Sequence, residues 1–409
     1  MRDIFDDLNV VIVNDFDYVQ GGATKVAIET AELLKKRGIN TYFFSAVHSE
    51  NVAYDFNLIS TNQKEMVKDK NIVRGAINNL YNLSAKKNLK SLLDTLDPKR
   101  TIVHVHGWTK ALSSSIFNVL DQKGFPYVLT AHDYFTICPN GGMFNYVTNT
   151  ICNLKPMSKE CMKCNCDSRN MAFKKFRIIR HYIQNNYVKF SNNLDHLITI
   201  SDLSESVLTN EIKPKHIYRV YNPTSIEKKE DRISAEKNDY FIYVGRITKE
   251  KGVIELLKLL SKTGRQLKIV GDGEFKKTLE EQYKNFTNIE FLGWKQQDDV
   301  YNYMRSARAL IFPSLWYEGA PLTIFEALSM GLPCFVSNKC SGAEFIENEK
   351  DGYVFNPLDD SLLKLLDCSD DVIKQFSLNS YEKYWNNPFS KERYLNDLID
   401  VYSQILKEE

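Results

Sequence analysis

The sequence predicts an α/β protein built as two parallel-sheet domains, and three observations carry that expectation. Short apolar runs alternate with helix-length amphipathic segments along the chain, the pattern of strands joined by crossover helices. With 409 residues the chain exceeds what one hydrophobic core usually serves. Between Asn222-Pro223 and Asp239 a polar, charge-rich stretch interrupts the alternation in the manner of a linker.

In the first half, residues 8–13 read as a strand and 23–37 as a helix. Val26, Ala27, Leu33 and Leu34 form its apolar face, and Gly38 ends it. Strands follow at 41–44, 102–105, 127–129 and 197–200. In the second half, strands fall at 240–244, 267–270, 289–292, 309–312 and 334–336, separated by helix-length segments. Each half therefore reads as a Rossmann-like domain, over 1–222 and 223–385. The tail, 386–409, carries Tyr394, Leu398, Tyr402 and Ile405 at helical spacing.

Hydrophobic content of 43% and charged content of 26% are those of a soluble globular protein. The amino terminus has acids where a signal peptide needs bases, and no apolar run reaches the roughly 18 residues of a membrane span. A cytoplasmic location is expected. The net charge of +1 divides unevenly: residues 1–222 hold 28 Lys and Arg against 21 Asp and Glu, and the remainder 25 against 31. A basic first half suits an anionic partner, such as a lipid pyrophosphate or the inner membrane surface. Residues 173–190 place Phe173, Phe176, Ile179, Ile183 and Tyr187 on one helical face among basic neighbours. That face suits either peripheral membrane contact or packing on the first domain. Near-neutral charge without a recognisable module argues against a nucleic-acid partner.

The most informative stretch is 313–331. A strand ends in Pro-Ser, a turn carries Glu318, and a helix over 322–330, introduced by Pro321 and closed by Gly331, carries Glu326. Free N–H groups at Leu322 and Thr323 could hold a diphosphate, and the flanking carboxylates could accept hydrogen bonds from sugar hydroxyls. Arg246 and Lys251 lie in a second loop after a strand, where two cations can neutralise a diphosphate without a metal. Gly21-Gly22 follows the first strand and lets backbone approach a ligand. Neither this pair nor Gly271-Asp272-Gly273 has dinucleotide-fingerprint spacing, which disfavours a nicotinamide enzyme. His104, His106, His132 and Asp133 fall at carboxyl ends of strands, where open α/β sheets form ligand crevices. Both His104 and His106 read equally as half-buried, satisfied histidines. Asp15-Phe-Asp17 spells a metal-binding Asp-x-Asp but sits in the first loop, where a turn role is favoured.

Glu318 and Glu326 resemble the Glu-x7-Glu motif of the retaining GT-B glycosyltransferases of the fourth family. The resemblance extends to the Gly-Gly-Ala loop, to Arg246 and Lys251, and to His132. It implies two Rossmann-like domains facing a central cleft, with the tail helix crossing back to the first. It assigns the donor phosphates to Arg246, Lys251, Leu322, Thr323 and Gly22, the ribose to Glu326, and the sugar to Glu318 and His132. Asp133 would orient the histidine or contact the acceptor. The implied reaction moves a sugar from a UDP- or GDP-type nucleotide-diphosphate sugar to a glycan or lipid-linked acceptor, with retention and no catalytic metal. A non-catalytic sugar-nucleotide-binding subunit and a metal-dependent GT-A transferase are the alternatives.

Five of eight cysteines, Cys138, Cys152, Cys161, Cys164 and Cys166, lie within 29 residues. Their sulfur-rich spacing in a reducing compartment suggests a structural zinc held by four of the five. Buried reduced thiols, and less readily a disulfide or an iron–sulfur cluster, are the other readings. The segment 138–170 resembles an insertion found in some bacterial polysaccharide glycosyltransferases.

Overall fold

A computed structural model of the chain describes residues 7–408 apart from 52, 66–68, 70 and 229–230. Most of the amino-terminal segment weighed for a leader, and part of the linker, lie outside these residues.

The first sheet contains β1 (Asn9–Phe16), β2 (Asn40–Val47), β3 (Asn57–Ser60), β4 (Thr101–Val105) and β5 (Tyr127–Thr130). A small antiparallel hairpin follows, β6 (Phe144–Asn145) with β7 (Thr150–Ile151). The chain then returns to the sheet as β8 (His196–Thr199) and β9 (His216–Arg219), giving the parallel order β3-β2-β1-β4-β5-β8-β9. The second sheet contains β10 (Tyr240–Val244), β11 (Gln266–Val270), β12 (Ile289–Gly293), β13 (Ala309–Phe312), β14 (Cys334–Ser337) and β15 (Gly352–Phe355). Its order is β12-β11-β10-β13-β14-β15, again parallel. The α/β class with two parallel sheets is the observed architecture.

Central strands are buried on both faces: Val10, Val11, Ile12 and Val13 have no exposed surface. That is why they read as continuous apolar runs. Edge strands β3 and β9 are mostly half-exposed, and their mixed composition hid them from periodicity. Strand order reverses between β1 and β4 and again between β10 and β13. Open α/β sheets bind ligands at the carboxyl ends of such strands, so topology alone points to the loops after these four.

The carboxyl-terminal helix Lys391–Glu408 packs on the first domain: Tyr394, Leu398, Tyr402 and Ile405 share a core with Val10 and Ile12. Two buried hydrogen bonds pin it, Thr30 with Tyr394 at 2.6 Å and His104 with Tyr402 at 2.7 Å.

The helix read over 173–190 is broken. It runs as Met171–Tyr182, widens into a π turn at Ile183–Tyr187, and resumes briefly at Phe190–Asn193. Its orientation is the reverse of ordinary amphipathic packing. Lys174, Arg180, His181 and Gln184 point inward and are buried, while Ile179, Tyr182 and Tyr187 are more than half exposed. Inward polar groups find partners in neighbouring loops, so this face needs no oily core.

Candidate functional site

The two domains meet around a cleft of about 630 Å³. Its second-domain wall is built from the loops after β10 and β13. Gly252 adopts a left-handed φ of 70°, and a Cβ there would lie 1.9 Å from the Pro313 carbonyl oxygen. Only glycine allows the cationic loop to press against the loop bearing Glu318.

That contact brings Lys251 Nζ to 2.7 Å from Glu318 Oε1, which also accepts a 2.7 Å hydrogen bond from the Ser314 hydroxyl. Burial by itself would raise the Glu318 pKa. Attraction to Lys251, with the hydrogen bonds from Lys251 and Ser314, outweighs it and leaves the carboxyl below its ordinary value. Glu318 is therefore an ionised, oriented acceptor at the cleft wall.

Four residues on, helix Leu322–Met330 starts at the same wall with no side chain capping its N–H groups. Leu322 and Thr323 line the cleft, leaving these donors to a ligand. Glu326, one turn deeper and 7% exposed, accepts from Gln297 Nε2 at 3.0 Å and Tyr301 Oη at 3.1 Å. Desolvation raises its pKa against these bonds and the pull of Lys25. Arg246 stands at the rim, 62% exposed, held at 3.2 Å by buried Glu250.

From the first domain come Gly22, after a Gly21 whose φ of 147° excludes most side chains, and His132. Gly319 abuts this wall: a Cβ would meet Ile200 Cδ1 at 2.8 Å and the His132 carbonyl oxygen at 3.1 Å. The histidines form a ladder. His132 Nε2 lies 3.0 Å from His106 Nδ1, the His106 and His104 rings sit 4.1 Å apart, and His104 bonds Thr130 and Tyr402, each at 2.7 Å. Desolvation lowers all three, His104 to about 3, His132 to about 4, and His106 well below its ordinary value. They are neutral at physiological pH. His104 is sealed behind the site and does not line the cleft, whereas His106 borders a smaller cavity of about 80 Å³ beside it.

Asp133 lines that smaller cavity rather than the main cleft, and its carboxylate accepts the Phe135 N–H at 3.0 Å. Asp15 accepts the N–H groups of Lys110, Ala111 and Leu112 at 2.8–2.9 Å, and Asp17 is engaged by Ser45, His48 and Ser49. Both acids of the Asp-x-Asp run brace loops. Sequence reasoning overlooked Lys110 and Gln297, which line the cleft from distant segments, and Tyr301, which holds Glu326 there. No local motif announces them.

The cysteine loop lies beside this site, with Gly142 packed against Trp316 and Tyr134 against Tyr317. All five of its cysteines are free. Among the described residues no three of the five bring their sulfurs within 4.8 Å of one another. Fully buried Lys174 instead donates to Cys166 Sγ at 3.2 Å and Cys161 Sγ at 3.6 Å. An ammonium thus bridges two of the five sulfurs, and the five are not gathered as the four-thiolate zinc site expected from the spacing requires.

Comparison with known proteins shows what the chain resembles. Glycosyltransferase Family 4 matches residues 20–228 and Glycosyl transferases group 1 matches residues 225–368. The UDP-Gal:alpha-D-GlcNAc-diphosphoundecaprenol alpha-1,3-galactosyltransferase of Escherichia coli is 30% identical over 216 residues, 47% of this chain and 55% of its own. The lipopolysaccharide 1,6-galactosyltransferase of Escherichia coli K12 is 32% identical over 179 residues, 40% and 48% of the two chains. The chain thus spans about half the length of these curated relatives. HepE of Anabaena, solved in complex with UDP and glucose, superposes with a TM-score of 0.67 over 97% of this chain and 100% of that one, at 13% identity. That likeness carries the fold, GT-B, with two Rossmann-like domains about a cleft. Together with a profile that covers half of the sequence, it leads to one conclusion: the chain belongs to glycosyltransferase family 4.

Proposed function

We propose that this chain transfers a sugar from a nucleotide-diphosphate sugar, of UDP type, to a lipid-linked or glycan acceptor in bacterial surface polysaccharide synthesis, with retention and without a catalytic metal. The observation that carries this reading is the Lys251–Glu318 pair beside an uncapped helix start, facing His132 across the cleft. Arg246, Lys251 and the N–H groups of Leu322 and Thr323 offer positive charge to a diphosphate, in the ground state and as charge builds on the leaving group. Glu326 would take ribose hydroxyls, and Glu318 with His132 the sugar. UDP is favoured because HepE is solved with UDP, and a lipid diphosphate because the galactosyltransferase relative names one as its acceptor.

Among the described residues that line the cleft, neither carboxylate stands free as a nucleophile: Glu318 is tied to Lys251 and Ser314, and Glu326 to Gln297 and Tyr301. Front-face displacement fits this arrangement. The bond from anomeric carbon to phosphate oxygen breaks, the acceptor oxygen bonds to the same face, and its proton passes to the departing phosphate. Closure of the cleft would keep water from intercepting the sugar. The test incubates the full chain with a panel of UDP- and GDP-sugars and follows nucleotide release, with and without chelator. Release from a UDP-sugar, insensitive to chelator and lost in Lys251→Ala, is expected; release by none of the panel overturns the reading. Proton NMR of the glycoside decides retention, a β-linked product from an α-linked donor counting against it.

A further inference from the structure

Beside the reaction cleft and its small cavity lies a further pocket, about 320 Å³, that shares Lys110 alone with the donor cleft among the described residues. Its walls combine Arg169, Arg180 and Lys110 with Phe135, Phe173 and Phe176. Cations and aromatics here come from four separate segments: the loop after β4, the loop after β5, the end of the cysteine loop, and the helix Met171–Tyr182.

Charge in this pocket is unbalanced. Among the described residues, none of these three cations has a carboxylate within salt-bridge distance, whereas Arg177 beside them is paired with Asp167 at 3.0 Å. Arg180 is 7% exposed and bonds only carbonyl and amide oxygens, of Thr109, Pro139 and Asn79, while its Nε has no partner. Its guanidinium lies 4.7 Å from the centre of the Phe135 ring. Arg169 lies 4.5 Å from that of Phe173. A buried guanidinium with no carboxylate in salt-bridge distance is costly to fold even with Asp133, Asp15 and Asp167 farther off, and an anionic ligand offsets that cost. One carboxylate, Glu65, also borders the pocket.

Position supplies the rest. Lys110 borders this pocket, the small cavity at His106 and Asp133, and the donor cleft, so the three are contiguous. On the outer side, the same helix exposes Ile179 and Tyr182, and the neighbouring helix Ile72–Leu80 exposes Val73 and Ile77 at 68% and 58%. An apolar surface, a cationic pocket and a reaction centre therefore follow one another along the first domain.

We propose that this pocket is the acceptor site for a sugar diphosphate carried on an isoprenoid tail. Arg169, Arg180 and Lys110 take the diphosphate, Phe173 and Phe176 take the first isoprene units, and the attached sugar reaches past Lys110 toward His132. The exposed apolar face beside it rests on the membrane that holds the rest of the tail. This assignment rests on the transferase reading above and adds where on the chain the acceptor is recognised.

The test measures binding to the full chain held at saturating UDP, so that the donor phosphate site is filled, with three soluble probes: farnesyl diphosphate, farnesol and inorganic pyrophosphate. Farnesyl diphosphate is expected to bind at least about tenfold more tightly than either fragment. Arg169→Ala, at an exposed position that folding does not depend on, should weaken it about tenfold while UDP affinity holds. Phe173→Ala should weaken farnesyl diphosphate and leave pyrophosphate unchanged. Farnesol binding as tightly as farnesyl diphosphate would overturn the diphosphate site, and pyrophosphate doing so would overturn the isoprenoid wall. Farnesyl diphosphate failing to bind while UDP binds overturns this assignment alone; UDP itself failing to bind counts against the donor site instead.

Discussion

Lys251 and Glu318 hold one another at 2.7 Å with side-chain exposures of 17% and 9%, so each is the other's main compensation for leaving water. Lys251→Met should therefore destabilise the protein by up to about 3 kcal/mol, through the carboxylate left unpaired. It should also lower kcat/KM at least about tenfold, roughly 1.4 kcal/mol of transition-state stabilisation. Arg246 separates the two effects. At 62% exposure its replacement by Ala should cut turnover similarly while changing stability by less than about 0.5 kcal/mol. Unchanged turnover in both folded variants would remove the phosphate assignment. The two glutamates differ in the same way. Glu326→Gln should weaken binding of free UDP, since Gln297 and Tyr301 aim that carboxylate into the cleft. Glu318→Gln should impair sugar transfer more than UDP binding; equal effects on both assays would contradict the division.

At the scale of elements, the histidine ladder makes a pH prediction. An unfolded histidine titrates near 6.5, but folding holds His104 near 3 and His132 near 4, with His106 also well below its ordinary value. Depressed folded values mean the unfolded chain binds more protons, so stability is complete above about pH 6.5 and falls as pH drops through that value toward 4. Buried His104 and His106 each contribute up to about 1.4 kcal/mol per pH unit in that window. Denaturant midpoints measured from pH 7 to pH 5 should fall accordingly, and a flat profile would show that the ladder is not buried as described. Tyr402→Phe should add to the loss, leaving one His104 nitrogen without its 2.7 Å partner, at about 1–3 kcal/mol. In the cysteine loop, the Lys174 bridge predicts purified protein without stoichiometric zinc and with titratable thiols. Stoichiometric zinc by elemental analysis would require the sulfurs to converge.

At the scale of the molecule, the site exists only where the domains meet. Gly319 touches Ile200 and the His132 carbonyl across the cleft, and helix Lys391–Glu408 returns the end of the chain to the first domain. Truncation before Lys391 would uncover Val10, Ile12 and their neighbours. The truncated chain is expected to aggregate, as judged by size-exclusion chromatography, and a soluble monomer with full UDP binding would show that the helix is dispensable.

How much of this was legible in the sequence depends on the range of the forces involved. The α/β class, the loops that carry Arg246, Lys251 and Glu318, and the helix start beside Leu322 follow from local periodicity and turn chemistry, because a strand buried on both faces must be apolar and a helix must leave its first N–H groups free. Tertiary packing decided the remainder. It joined Lys251 to Glu318 across 67 positions, placed Gln297 and Tyr301 on Glu326, sealed His104 behind the site, and turned the polar face of the helix Met171–Tyr182 inward. It also set an ammonium between cysteines whose spacing alone suggested a metal. Those outcomes depend on which segments meet once the chain closes, and hydrogen bonds and ion pairs between segments far apart in sequence leave no periodic trace along it.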